Sequence, residues 1–125
     1  MFFERPDSGT RTLLVHVDRS NSDLASLGEL KELAESAGLN PVRSLVSNRR
    51  NPHPATFLGQ GKVLEIAALV RRYNLALVVF DTELTPSQER NLERACNVRV
   101  IDRTNLILQI FSQRARTHEG KLQVE

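Results

Sequence analysis

The chain contains little sulfur and few aromatic rings. Among its 125 residues there is one cysteine, Cys96, with one methionine, one tyrosine and no tryptophan. A lone cysteine excludes an intrachain disulfide and a thiolate metal site. Aromatic residues make up 5% of the chain, and several phenylalanines lie in apolar runs. This scarcity argues against an aromatic platform that stacks the bases of a single strand.

Long hydrophobic runs are also missing. The continuously apolar segment Leu75–Phe80 is far shorter than the roughly 20 residues that a membrane-spanning helix needs. The N-terminal residues, Met-Phe-Phe-Glu-Arg-Pro, lack the basic and apolar regions of a secretory signal. These features predict a cytoplasmic protein without a membrane span.

Acidic residues are absent from one stretch of the chain. The formal net charge is only +2, but residues 41–62 carry Arg43, Arg49, Arg50 and Lys62 with no Asp or Glu. Because nothing local neutralises these side chains, they suit a phosphate-bearing partner. A merely solvated basic surface is the alternative that charge alone leaves open.

A second basic group follows the last apolar helix pattern, and arginines near a helix end can contact phosphates without reading bases. The two groups together form the predicted RNA-binding set: Arg43, Arg49, Arg50, His53, Lys62, Arg114, Arg116, His118 and Lys121.

Hydrophobic periodicity predicts four strands that alternate with four helices. The predicted strands are Thr12–Val17, Pro41–Val46, Leu75–Phe80 and Val98–Ile101. The predicted helices are Asp23–Ala37, Gly61–Tyr73, a segment from Thr85 to about Ala95, and one with its apolar face on Leu106, Ile107, Ile110 and Phe111. The order βαβαβαβα indicates an α/β fold with a four-stranded, mostly parallel sheet and helices on both faces.

Local signals refine this prediction. Leu75–Phe80 is typical of a central strand covered on both sides, whereas the alternation in Pro41–Val46 indicates an edge strand. Thr85-Pro86-Ser87-Gln88 has the pattern of a capping box with proline at the first helical position. Gly38 supplies a left-handed residue that ends the first helix.

The segment Gly59-Gln60-Gly61-Lys62 invites comparison with phosphate-binding loops. The phosphate-loop pattern fails because Thr56 stands where the first glycine is needed and Val63 where Ser or Thr is needed. The dinucleotide pattern fails because Leu64 occupies the third glycine position. The simpler interpretation is that the two glycines form a tight turn into the second helix.

No catalytic or metal-binding constellation is evident in the sequence. His16, His53 and His118 lack metal-ligand spacing, and His16 is expected to be a packed or an edge residue of the first strand and not a ligand. Asp81 follows the central strand, where open parallel sheets bind ligands, but a loop or capping role is more common there. Because no nucleophile lies beside a base, we predict that this chain is not itself an enzyme.

The C-terminal residues Leu122–Glu125 have the pattern of a first helical turn. We therefore expect an α/β domain over residues 1–116, and a linker with the start of a truncated helical hairpin over residues 117–125.

Four ordered motifs carry a family resemblance. They are Pro52-His53-Pro54 with 57–62 (Phe-Leu-Gly-Gln-Gly-Lys), Phe80-Asp81 with 84–93 (Leu-Thr-Pro-Ser-Gln-Glu-Arg-Asn-Leu-Glu), 99–104 (Arg-Val-Ile-Asp-Arg-Thr), and 113–125 (Gln-Arg-Ala-Arg-Thr-His-Glu-Gly-Lys-Leu-Gln-Val-Glu). In this combination and spacing, the chain from about Thr12 to its end resembles the N-terminal part of the HflX family of ribosome-associated GTPases.

The resemblance implies a role outside catalysis. In that family an α/β domain precedes a helical hairpin and a GTPase domain, and the whole protein binds the large ribosomal subunit and splits or rescues stalled ribosomes under stress. The α/β domain and hairpin contact ribosomal RNA. GTP and Mg²⁺ would then bind in a missing GTPase domain. No residue of this chain is assigned to nucleotide or metal, and this chain is not expected to hydrolyse GTP.

The expected partners are the large ribosomal subunit with its rRNA and the GTPase domain of the same protein, and the chain itself is expected to be a monomer. Two other functions stay open at this point. One is an accessory domain that binds ATP or GTP, and the other is a protein-interaction domain whose basic loop is only solvated.

Overall fold

The fold is built around two neighbouring strands that are apolar on both faces. The computed structural model describes residues 9–18, 24–48 and 54–124, with side chains over 9–17, 27–47 and 54–115. Its elements are β1 (Thr10–Asp18), α1 (Leu24–Ser36), β2 (Leu39–Asn48), α2 (Gln60–Arg72), β3 (Leu77–Phe80), α3 (Pro86–Cys96), β4 (Arg99–Asp102) and α4 (Arg103–Val124).

The four strands form one sheet in the order β2-β1-β3-β4, and every pairing is parallel. This confirms the predicted α/β class. All four residues of β3 are buried, and the strand lies inside the sheet, as its continuous apolar pattern predicts. β2 lies at an edge, which confirms the prediction for Pro41–Val46, although the strand extends two residues further at each end.

Helices cover both faces of the sheet. Side chains that alternate along β1 and β3 divide between two cores, because successive residues of a strand point to opposite faces. One core lies under α2 and α3: Leu13, Val15, Ile66, Val70, Val78, Phe80 and Leu92. The other lies under α1 and α4: Leu14, Leu30, Ala34, Leu77, Val79, Leu106 and Ile110.

A β-bulge interrupts the alternation of the edge strand. In the β1–β2 register Thr12 pairs with Pro41 and Leu13 with Arg43, so Val42 is the extra residue. Pro41 donates no backbone hydrogen bond, which an edge strand tolerates. Beyond the bulge Leu45 faces the core, whereas Val46 is 40% exposed.

The predicted helix boundaries rest on identifiable caps. Thr85 Oγ1 accepts a hydrogen bond from Gln88 N at 3.1 Å, and Thr85 N donates to Gln88 Oε1 at 3.0 Å, which completes the capping box. Gly38 has φ +83° after α1, which confirms its left-handed conformation.

The connection into α2 differs from the predicted glycine turn. Gly59 has φ −65° and ψ 160°, a conformation open to any residue, and Gly61 lies inside the helix. The left-handed residue is Phe57, with φ 70°, and its side chain is only 3% exposed. Burial of this ring in the core offsets the strain that such a backbone conformation costs.

The last helix is longer than its apolar pattern indicates. α4 runs from Arg103 to Val124 and crosses the predicted boundary between 116 and 117 as one helix. The division of the chain at that boundary stays a prediction. Across the described part of the chain, no helix combines the length and the apolar character that crossing a membrane requires.

The capping box provides a test of the α3 boundary. We expect Thr85→Ala to lower the free energy of unfolding by about 1 kcal/mol, because Gln88 N loses its acceptor. Ser87→Ala is the matched control, since Ser87 is an exposed residue in the same helical turn. Urea unfolding curves measure both variants, and equal midpoints would contradict the assigned role of Thr85.

The buried thiol provides a test of core packing. Cys96 is 4% exposed, and burial raises its pKa from 9.0 to about 11. At pH 8 the folded chain should therefore hold roughly 100-fold less thiolate than the unfolded chain. We expect a disulfide reagent to label native Cys96 at least that much more slowly than the urea-unfolded protein. Comparable rates would show that the thiol is not enclosed.

Candidate nucleic-acid interface

Arg43 is the best-defined member of the predicted RNA-binding set. It lies on the edge strand β2 directly after the bulge, and its side chain is exposed. Its guanidinium stacks on Tyr73, with Cζ 4.4 Å from the ring centroid. Among the described residues no carboxylate forms an ion pair with it, so its charge is available to an external anion.

Lys62 is held more locally than the sequence indicates. Its Nζ lies 3.4 Å from Val46 O and 3.3 Å from Glu65 Oε1. The expectation that nothing local neutralises this residue is therefore wrong. The stretch without acidic residues ends at Leu64, and Glu65 lies three residues after Lys62 on the same face of the helix.

The predicted set does not form a single surface on one face of the sheet. Arg114 is exposed on α4, which packs against the core opposite to the one under α2. Lys62 lies in the first turn of α2, and Arg43 stacks on Tyr73, the C-cap residue of that helix. Arg114 therefore belongs to a different side of the domain from Arg43 and Lys62.

Several predicted residues lie where the structure gives no side-chain description. Arg49, Arg50 and His53 lie outside the described residues. Arg116, His118 and Lys121 lie on α4, for which the structure describes only the backbone at these positions. Their contribution to RNA binding stays a prediction.

Local charge counting missed a group of residues around Tyr73. The Cζ of Arg72 lies 5.6 Å from the ring centroid, and Arg11 donates two hydrogen bonds to Tyr73 O, at 2.9 and 3.0 Å. The adjacent Arg71-Arg72 pair at the end of a helix was the available signal. It was obscured because the surrounding segment contains nearly equal numbers of acids and bases.

A buried His–Asp pair lies where β1 and β3 end. His16 Nδ1 contacts Asp81 Oδ2, while Asp81 Oδ1 accepts a hydrogen bond from Val17 N at 3.0 Å. His16 is 3% exposed, which confirms that it is packed. In the sheet order β2-β1-β3-β4 this is the switch point, the usual place for a ligand in an open α/β sheet.

Among the described residues, none supplies the third member that a catalytic triad would need beside this pair. Within the described part of the chain His16 Nε2 has no hydrogen-bond partner, so no nucleophile lies within reach of the imidazole. The described residues also contain no group of three His, Cys, Asp or Glu side chains that could hold a metal ion. Asp81 therefore acts as an acceptor that fixes His16 and the end of β1.

The start of α2 offers backbone but no side-chain capping. Gly59 is the N-cap residue and makes no side-chain hydrogen bond, and a Cβ added at Gly61 would meet no described atom within 4 Å. Beside this turn lies a cleft of about 320 Å³, lined by Ala55, Thr56, Gln60, Val63, Leu64 and Ala95. None of these six described residues carries a charged side chain that would hold a nucleotide phosphate.

Asp102 connects the last strand to two neighbouring segments. Its carboxylate accepts from Leu84 N at 3.0 Å and from Asn105 N at 2.9 Å, and the residue is 5% exposed. It thereby caps α4 and holds the segment that leads into α3.

Partial burial of the Glu89 carboxyl raises its pKa, and the negative charges of Asp102 and Glu93 add smaller contributions in the same direction.

Comparison with known families identifies the domain. Residues 24–112 match the family model described as GTP-binding GTPase N-terminal. The chain is 51% identical over 124 residues to GTPase HflX of Escherichia coli, and the alignment covers 98% of this chain. It is 45% identical over 117 residues to GTPase HflX of Lacrimispora saccharolytica, covering 92% of this chain. The chain belongs to the HflX GTPase family.

The chain corresponds to part of these HflX relatives. The alignments span 29% of the Escherichia coli protein and 28% of the Lacrimispora protein. This extent and the family model confirm the resemblance to an N-terminal region of HflX.

Solved structures support the same fold. A complex of SsGBP with GDP superposes with a TM-score of 0.64 at 18% identity, covering 83% of this chain and 29% of that one. A GTP-binding protein from the hyperthermophilic archaeon Sulfolobus solfataricus, in complex with GDP, gives a TM-score of 0.59 at 18% identity, with coverage of 82% and 30%. At this identity the likeness shows the fold alone.

Asp102 provides a test of how the last strand is tied to its neighbours. We expect Asp102→Ala to lower the free energy of unfolding by about 2–3 kcal/mol, because the buried Leu84 N–H loses a charged acceptor. Asp102→Asn is the control, since it keeps one acceptor oxygen and should lose less. Urea unfolding at pH 7 measures both variants. Equal stability would contradict the role of Asp102 as acceptor for both Leu84 N and Asn105 N.

Proposed function

We propose that this chain is the ribosome-docking domain of an HflX-type GTPase and contacts the rRNA of the large subunit. The whole protein would split or rescue stalled ribosomes under stress in the cytoplasm. GTP and Mg²⁺ would bind in a GTPase domain elsewhere in the same protein, and that domain would be this chain's intramolecular partner. The chain itself would be monomeric and would not hydrolyse GTP.

The observation that carries the proposal is an exposed arginine on an edge strand, in a domain whose described residues form no catalytic grouping. Arg43 projects from an edge strand, has no carboxylate partner among the described residues, and is oriented by an aromatic ring. Arginine forms bidentate contacts with phosphate, and such contacts position a protein on RNA without requiring a base sequence. Family membership supports the same assignment, since the relatives are GTPases much longer than this chain.

A second candidate function is an accessory domain that binds ATP or GTP. The observation that favours it is the unsatisfied Nε2 of His16, which is buried at the switch point of the sheet. A buried nitrogen without a partner is costly, and a bound ligand would satisfy it. Saturable binding of ATP or GTP that is lost in His16→Phe, but retained in a variant with exposed arginines replaced, would support this candidate.

Cosedimentation with purified large ribosomal subunits tests the docking function. We expect the 125-residue chain to bind, and its affinity to fall steeply between about 50 and 200 mM salt because counterions are released from phosphates. Arg114→Gln with Arg116→Gln, and separately Arg49→Gln with Arg50→Gln, should each reduce the salt slope by about one for every lost phosphate contact.

The matched control is Arg90→Gln with Arg94→Gln on α3, which removes the same charge from another exposed helix surface. Absence of binding by the unaltered chain would contradict the docking function. Equal losses in the control and in the two test variants would show that overall charge, and not the predicted set, determines binding.

A further inference from the structure

Three arginines converge on one tyrosine at the amino-terminal end of the sheet. We call Arg11, Arg43, Arg72 and Tyr73 the Tyr73 cluster. Arg43 and Arg72 stack on the ring with Cζ-to-centroid distances of 4.4 and 5.6 Å. Their Cζ atoms are therefore at most about 10 Å apart, so both can contact one segment of a polyanion that carries a charge every few ångströms.

The ring itself is held in place by the backbone. Tyr73 ends α2, packs against the core on that face, and accepts both hydrogen bonds of Arg11 through its carbonyl oxygen. A cation at a helix C-terminus is also favoured by the helix dipole. Arg11 therefore holds Tyr73 through its backbone, whereas Arg43 and Arg72 stack on its ring and are exposed.

The segments that supply Arg43 and Arg72 contain no carboxylate that would compete for their guanidinium groups. Residues 39–48 and 66–80, which supply Arg43, Arg72 and Tyr73, contain no Asp or Glu. The nearest acid in α2 is Glu65, which pairs with Lys62 and lies seven residues, roughly 10 Å, from Arg72 along the helix. Among the described residues neither Arg43 nor Arg72 forms an ion pair.

Arginine stacked on an aromatic ring suits a phosphate backbone better than an isolated cation does. Stacking restricts the guanidinium plane before binding, so less side-chain entropy is lost when its N–H fork meets a phosphate. Because two guanidinium groups already lie over the ring, the tyrosine is a support for the arginines and not a stacking surface for a base. Contacts of this kind carry no sequence preference.

We infer that the Tyr73 cluster is a binding site for the phosphate backbone of RNA. Arg43 and Arg72 contact phosphates, and Tyr73 orients them. The inference deepens the proposed docking function, since it assigns RNA contact to Arg72 and Tyr73, outside the set predicted from local charge. It is tested separately from ribosome binding.

The test measures binding of the 125-residue chain to a fluorescent RNA duplex of arbitrary sequence by anisotropy, over a range of salt. Arg43→Gln with Arg72→Gln should reduce the salt slope by about two and leave no dependence on duplex sequence. Arg90→Gln with Arg94→Gln is the control with equal charge loss. Thermal unfolding of each variant checks that the fold is retained.

Arg43→Lys separates orientation from charge. It keeps the cation but loses the planar stack, so we expect roughly a two- to fivefold weaker affinity with an unchanged salt slope. If Arg43→Gln with Arg72→Gln fails to fold, this variant alone decides: affinity equal to the unaltered chain would overturn the stacked-arginine site.

Three further outcomes would overturn the inference. They are no duplex binding by the unaltered chain at low salt, equal effects of the cluster and control variants, and displacement of the RNA by polyglutamate at equal charge concentration. The last outcome would point to an acidic peptide instead. Ribosome binding that persists without duplex binding would leave the docking function standing while this site fails, so the two conclusions are distinguishable.

Discussion

Burial of β1 and β3 on both faces is the constraint on which the rest of the structure depends. Their alternating apolar side chains cannot be covered from one side, so helices must pack on each face of the sheet. Parallel neighbours then require crossover connections, which place the helices between successive strands. The same arrangement brings the polar ends of β1 and β3 together, where Asp81 meets His16.

Local patterns were sufficient for most of the fold because each was tied to a local physical cause. The capping box at Thr85 and the left-handed Gly38 involve residues that are close in sequence, and Leu75–Phe80 is apolar throughout. The bulge at Val42 was not predictable, since it depends on the register with a strand 30 residues away. The left-handed conformation of Phe57 was missed because burial, and not residue preference, maintains it.

The candidate interface was harder to predict than the fold. Arg43 and Lys62 stood out because residues 41–62 contain no acid. The count stopped three residues before Glu65, which forms an ion pair with Lys62. The Tyr73 cluster is assembled from three elements, with Arg11 and Tyr73 separated by 62 residues. A charge count over a continuous stretch of sequence adds such residues to nearby acids that are not their spatial neighbours. Only the fold shows which charged side chains lie together.

The residues that hold the fold together differ from the exposed arginines that we propose for contact with RNA. Tightly satisfied polar groups, such as the carboxylate of Asp102, connect strand ends to helix starts inside the domain. Arg43 and Arg72 are exposed and form no ion pair among the described residues, so they lie outside that framework. The residues that we propose for RNA contact are in this way different from those that hold the framework, apart from Arg11, whose guanidinium donates to the last carbonyl of the α2 end.

The bulge in β2 has a further consequence for the solubility of the domain. A ten-residue parallel edge strand exposes a row of backbone groups that could pair with another copy of the chain. Pro41 removes one donor from that row, the extra residue Val42 breaks its spacing, and the charge of Arg43 follows immediately. The side chain that we propose to contact RNA therefore also discourages strand-to-strand self-association.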